Sequence, residues 1–222
     1  MLNFFKRKKY PEFWKKHIDA IENCKKYSNY ESIRFVCLDT ETTGFDYEND
    51  RILCIGAVAI KNNKILVSDS FEVYIQQEVF NKETVKIHGI RRNGNEVKVT
   101  EEEALISFLE YLDDAIIIAH HTKFDMTMIN NALKRIHVGP IISKQLDTNY
   151  IHKKIATENQ FKKLFSLDEL CAVYNVKMHD RHTALGDALI TAYIFLKLTY
   201  KYKKNNVLNL TELINTNYYL NK

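Results

Sequence analysis

The 222 residues suffice for one substantial domain with a full core and are marginal for two, and 45% hydrophobic and 27% charged residues, with two prolines and six glycines, exclude a disordered or fibrous chain. No run approaches about 18 uninterrupted apolar residues, which excludes a membrane-spanning helix, and the N-terminus lacks the basic-then-apolar order of a secretory signal, so a cytoplasmic protein is expected. The net charge of +4 is unevenly spread: residues 1–30 hold eight Lys/Arg against three Asp/Glu and residues 150–205 hold ten against five. A basic surround to an acidic middle suits a polyanion approaching a cation site, although ordinary surface lysines account for the charge equally well.

Pro11 opens an expected helix to about Lys26, with Phe13, Ile18, Ile21 and Cys24 as an imperfect apolar stripe. Strands are expected at about 33–39, 51–60 and 64–75, the second nearly continuous in apolar residues, as a strand buried on both faces should be. Asn62-Asn63 marks the hairpin after it. Thr100 and Glu103 have capping-box spacing and start a helix over 101–113, followed by a buried strand at 115–119 and a helix at 124–136. A short strand near 144–147 and helices near 148–154, 167–174 and 183–203 complete a mixed five-stranded α/β sheet flanked by helices. The expected organisation is a basic helical extension (1–30), a core domain (31–204) and a loosely held tail (205–222).

The cysteines Cys24, Cys37, Cys54 and Cys171 have no C-x-x-C spacing, so they nucleate no zinc or redox site, and Cys37 and Cys54 read as small core residues. Oxygen ligands are a different matter. Asp39 and Glu41 emerge at the end of an apolar strand two residues apart, hence on one side of it. A solvated acidic strand end is common, but the chain later supplies Asp125 after Phe124, and Asp187 five residues after His182. Carboxylates without cysteine select magnesium or manganese over zinc, and an imidazole titrates close to neutral pH. His137, His152 and His179 read as surface histidines, Asp147 as a cap for the next helix, and Asp46, Glu48 and Asp50 as a solvated loop.

Three ordered motifs carry a family resemblance: Asp39-Thr40-Glu41-Thr42-Thr43-Gly44, Ala119-His120-His121-Thr122-Lys123-Phe124-Asp125, and Arg181-His182-Thr183-Ala184-Leu185-Gly186-Asp187-Ala188. Over about residues 33–200 the chain resembles the DEDDh 3′-to-5′ exonucleases, among them the epsilon proofreading subunit of bacterial DNA polymerase III. The resemblance implies a ribonuclease H-like fold and two divalent cations, Mg2+ or Mn2+. Asp39 would bridge both, Glu41 and Asp187 would bind the one on the nucleophile side, Asp125 would help hold the other, and His182 would deprotonate the attacking water. It also implies that Glu83 and His88 flank a 3′-terminal nucleotide, that Thr42, Thr43 and Gly44 offer it backbone groups, and that Phe45 stacks on its base. Local packing of Phe45 is the alternative. Family members usually carry His-Asn where this chain has His120-His121, and His121 also reads as a surface residue at a helix start. The implied partner is a nucleic-acid 3′ end, DNA ahead of RNA, with a DNA polymerase III holoenzyme as a possible host. Residues 205–222 hold no convincing clamp-binding peptide, so a stand-alone exonuclease stays open, as do RNA trimming and a non-catalytic binding module.

Overall fold

The structure, a computed structural model, describes residues 10–23, 30–155 and 164–205; the expected tail over 206–222, the basic residues 6–9 and Cys24 lie outside them. Each expected element appears, with shifted ends. In chain order they are α1 (Glu12–Asn23), β1 (Phe35–Thr42), β2 (Ile52–Lys61), β3 (Lys64–Ile75), α2 (Lys82–His88), β4 (Lys98–Val99), α3 (Glu101–Leu112), β5 (Ile116–Ala119), α4 (Thr122–Arg135), β6 (Gln145–Asp147), α5 (Thr148–Ile155), α6 (Leu167–Tyr174) and α7 (Ala184–Asn205).

The described strands form one sheet of order β4-β3-β2-β1-β5-β6, six rather than the expected five. The addition is β4, whose two residues pair in parallel with Tyr74 and Ile75. Two residues show no alternation, so no sequence pattern marks such a strand. β1 and β2 run antiparallel, as do β2 and β3, whereas β5 lies parallel to β1 and β6 parallel to β5. The β2–β3 turn has Asn62 and Asn63 at φ 53° and 56°, the left-handed pair that a two-residue hairpin requires.

Side chains of the central strands go alternately into two cores. Val36 and Leu38 join Leu105 and Phe108 of α3 and Ile129 and Leu133 of α4 on one face. Phe35 and Cys37 join Leu170 of α6 and Phe195 and Leu198 of α7 on the other. The capping box at Thr100 and Glu103 is formed, and Ser166 with Glu169 makes a second one at α6.

Two features differ from expectation. α1 turns Trp14 and His17 inward, each 3% exposed, with Phe13 and Ile18 only partly buried beside them. A Trp side chain of roughly 150–250 Å² is worth about 4–6 kcal/mol at 25 cal/mol per Å², an upper value, so this helix is part of the core. α2 had no helical stripe to announce it. Its seven residues are held by caps, Asn81 accepting from the Glu83 N–H and Gly89 closing the end at φ 74°.

Candidate active site

The alternation that sends Phe35 and Cys37 toward α7 continues to Asp39 and Glu41, so both acids point at the first turn of that helix. Asp187 is there. Oxygens of Asp39, Glu41 and Asp187 all lie within 4.8 Å of one another. The close approach depends on Gly56, the β2 residue paired with Asp39. A Cβ at position 56 would lie 2.2 Å from the carbonyl carbon of Ala184 and from the nitrogen of Leu185, so any larger residue pushes α7 off the sheet.

Asp125 arrives from the opposite face, on α4, where its Oδ1 accepts the Thr40 N–H at 3.0 Å and the Thr40 hydroxyl at 2.8 Å. It stands beside the three-acid group rather than within it, and its charge acts on both Asp39 and Glu41. All four carboxyls resist ionisation. Burial pushes Asp39 well above the usual carboxylate range, with Asp125, Asp187 and Glu41 adding repulsion. Burial and then Asp187 raise Glu41 to about 8. Burial raises Asp125 to about 7 against the Thr40 hydrogen bonds, and Asp187 is raised by burial while Arg181 opposes the shift.

Among the described residues, Arg181 is the cation that bears on Asp39, Glu41 and Asp187 alike. Its Nη1 donates to Asp187 Oδ2, and its Nε donates to Asp168 Oδ1 at 2.6 Å. Asp187 Oδ1 is buried with no hydrogen-bond partner among the described residues. An oxygen left bare inside a repelling, all-oxygen group fits a hard divalent cation, and no sulfur or imidazole in that group favours zinc.

His182 is exposed beside this group. It sits at φ 65° on the loop before α7, and its N–H donates to Asp187 Oδ2 at 3.3 Å. The histidine thus hangs from a carboxylate of the site.

The expected substrate residues form a rim. Thr43 is fully buried, its N–H donating to the Arg51 carbonyl at 2.9 Å and its hydroxyl to Asp50 at 2.6 Å. The Thr42 hydroxyl donates to the Gly44 carbonyl at 2.7 Å, and the Thr84 hydroxyl to the Thr43 carbonyl at 3.4 Å. These backbone groups of Thr43 and Gly44 are engaged within the protein, which narrows the expectation that this turn offers its main chain to a ligand. Phe45 is 78% exposed, resting on Phe124 at 5.7 Å between ring centroids, with Tyr47 against the same ring at 5.8 Å. Glu83 is exposed and pairs with Lys86. His88 is buried, and its Nδ1 accepts the Ile90 N–H at 3.0 Å. The neutral ring therefore carries its proton on Nε2, which is buried; burial lowers the His88 pKa and a hydrogen bond with the Thr42 backbone opposes that shift.

Other residues take structural parts. Asp147 caps two helices, accepting from Asn149 at the start of α5 and from Thr122 at the start of α4. His121 is the N-cap of α4 at φ 60°, a conformation favouring Asn and tolerated by His, and its side chain makes no capping bond. His120 Nδ1 lies 2.8 Å from the Thr148 hydroxyl, and burial with His121 nearby lowers its pKa to about 3. His152 corrects the surface reading: it is 2% exposed, with Nδ1 2.7 Å from the Tyr174 hydroxyl. It lies on the α5 face turned to α6 and α7, and a stripe that short gave no phase for it. The acidic loop is solvated as expected, closed by Asp46 accepting from Glu48 and Asn49. Sequence reasoning missed the contacts of Arg181 and Asp168; an arginine next to His182 was the one visible signal.

Comparison with known proteins places the chain in a family. The exonuclease family RNase_T matches residues 36–195. DNA polymerase III PolC-type from Caldanaerobacter subterraneus subsp. tengcongensis is 33% identical over 180 residues, which are 81% of this chain and 12% of that protein, so the chain spans about an eighth of its relative. Among solved structures, Escherichia coli exonuclease I in complex with an oligonucleotide superposes with TM-score 0.66 at 15% identity, covering 78% of this chain and 42% of that one. Exonuclease X in complex with 5′-overhanging duplex DNA gives TM-score 0.61 at 17% identity, covering 82% and 97%. These two likenesses support the ribonuclease H-like fold. With the family match spanning the acids of β1, α4 and α7, the chain belongs to the RNase_T exonucleases, a metal-dependent nuclease family of the DEDD type.

Proposed function

We propose that the protein removes nucleotides one at a time from the 3′ end of DNA as 5′-monophosphates, in proofreading or repair. The observation that carries this reading is the bare, buried Oδ1 of Asp187 within a group of acids that repel one another. Asp39, Glu41 and Asp187 would hold one divalent cation, and Asp39 with Asp125 a second, Mg2+ or Mn2+. Bound there, such a pair supplies an activated water, neutralises the scissile phosphate and steadies the departing 3′ oxygen.

The chain's own residues do the rest. The His182 imidazole takes the proton of the attacking water, and its backbone bond to Asp187 keeps the base beside the reacting centre. On the rim, His88 flanks the terminal nucleotide, and α2 carrying it is docked on the first motif through Thr84 and Thr43. Glu83 flanks the same nucleotide, and Phe45, backed by Phe124, stacks on its base. The similarity to PolC-type polymerases supports DNA as the polymer and a DNA polymerase III holoenzyme as the setting.

The test uses 5′-labelled 3′-mismatched duplex DNA, single-stranded DNA and single-stranded RNA, with magnesium or manganese. The expected result is a ladder shortening from the 3′ end, faster on DNA, with circular single strands spared. Circles cut as fast as linear strands would show an endonuclease, and faster digestion of RNA would move the function to RNA trimming.

A further inference from the structure

Among the described residues, Arg181 makes two contacts that the reaction outlined above does not use. One guanidinium spans two carboxylates of different standing: Nη1 donates to Asp187 Oδ2 inside the acid group, and Nε donates to Asp168 Oδ1 in the first turn of α6. The Asp187 side chain is 5% exposed, whereas the Asp168 side chain is 54% exposed. A buried pair in a repelling acid group and a solvated pair on a neighbouring helix are therefore joined through one side chain, itself 25% exposed. Arg181 also lies 3.4 Å from His182 Nδ1, so its position bears on the loop that carries the histidine.

We propose that Arg181 is an internal counter-ion of the acid centre, holding Asp187 when no divalent cation is present and withdrawing to Asp168 when one binds. The electrostatic reason is direct. Asp39, Glu41, Asp187 and Asp125 repel one another in a partly dry site, and a single positive charge relieves part of that repulsion. A divalent cation supplies more charge at shorter range to the same oxygens, so it and the guanidinium compete for the field of Asp187. Asp168 lowers the cost of that competition, because the arginine that leaves Asp187 already has a carboxylate at hand. Arginine suits this role, since its planar fork serves two partners at once, which a lysine ammonium does less well.

The inference rests on reading these acids as a cation centre, and the test separates the two ideas. Calorimetric titration of Mn2+ into wild type, Arg181→Gln, Asp168→Asn and the double variant reads the competition without substrate. Arg181→Gln should bind Mn2+ about tenfold tighter, the scale of a unit charge removed from a partly solvated site. Asp168→Asn should bind it several-fold more weakly, because the arginine loses its alternative partner, and the double variant should match Arg181→Gln alone. In chelator, Arg181→Gln should melt below wild type, and Mn2+ should close that gap. Should Arg181→Gln fail to fold, Arg181→Met, which keeps the length of the side chain and removes its charge, takes its place in the single and the double variant. Equal affinities across the four proteins, or an Asp168→Asn effect that persists without Arg181, would overturn the inference and leave the cation centre standing. Wild type that takes up no Mn2+ would remove both.

Discussion

The acid centre and the rim around it are built by opposite means. At the centre, side chains come from β1, α4 and α7, elements that lie far apart in sequence and are locked by the two faces of one buried sheet. On the rim, Phe45, Tyr47 and Glu83 sit on short exposed segments held by their own caps and turns. The centre stores repulsion, with its carboxyls held above their ordinary range. On the proposed function, chemistry that must not move is placed on rigid elements, and contacts that would meet a mobile nucleic-acid strand are placed where the cost of adjustment is low.

The largest expected break in this contrast is Asp39→Ala. On the proposed function it removes the acid that two cations would share, and activity should fall to the chelator background in single-turnover assays, at least about 10³-fold. Gly56→Ala comes next: with a Cβ 2.2 Å from the backbone at Ala184 and Leu185, α7 must shift and carry Asp187 with it. Melting should drop by the equivalent of about 1–3 kcal/mol, and cation affinity should fall although no ligand was changed. His182→Ala should lower turnover by about 10²–10⁴-fold while calorimetry still shows cation binding. Lost binding would make the histidine a ligand. The smallest effect is expected on the rim, where Phe45→Ala should raise KM about tenfold, leave turnover near wild type and leave melting unchanged. A fall in melting there would mean that Phe45 serves only to cover Phe124.

Much of this was legible because strand alternation and motif spacing are local. Asp39 and Glu41 share a face by period two alone, and the match of Thr100 to Glu103 named a helix start to the residue. What escaped depended on partners distant in sequence. Arg181 reads as a basic loop residue until α6 brings Asp168 to it, and Thr43 reads as free main chain until Arg51 and Asp50 close on it. His152 and Trp14 escaped because a short amphipathic stripe does not fix its own phase to within a residue or two.

The most direct test of the central claim is the melting temperature against pH, in chelator and in Mg2+. A carboxyl raised from its ordinary 4.5 to about 8, as Glu41 is, stays protonated in the folded state after the unfolded chain has ionised. Folding stability is then fully present below about pH 4.5 and lost as pH rises toward about 8. A cation binding the ionised centre opposes that loss. The account therefore expects melting in chelator to fall between these pH values and Mg2+ to abolish most of the fall. Identical pH profiles with and without the cation would contradict it.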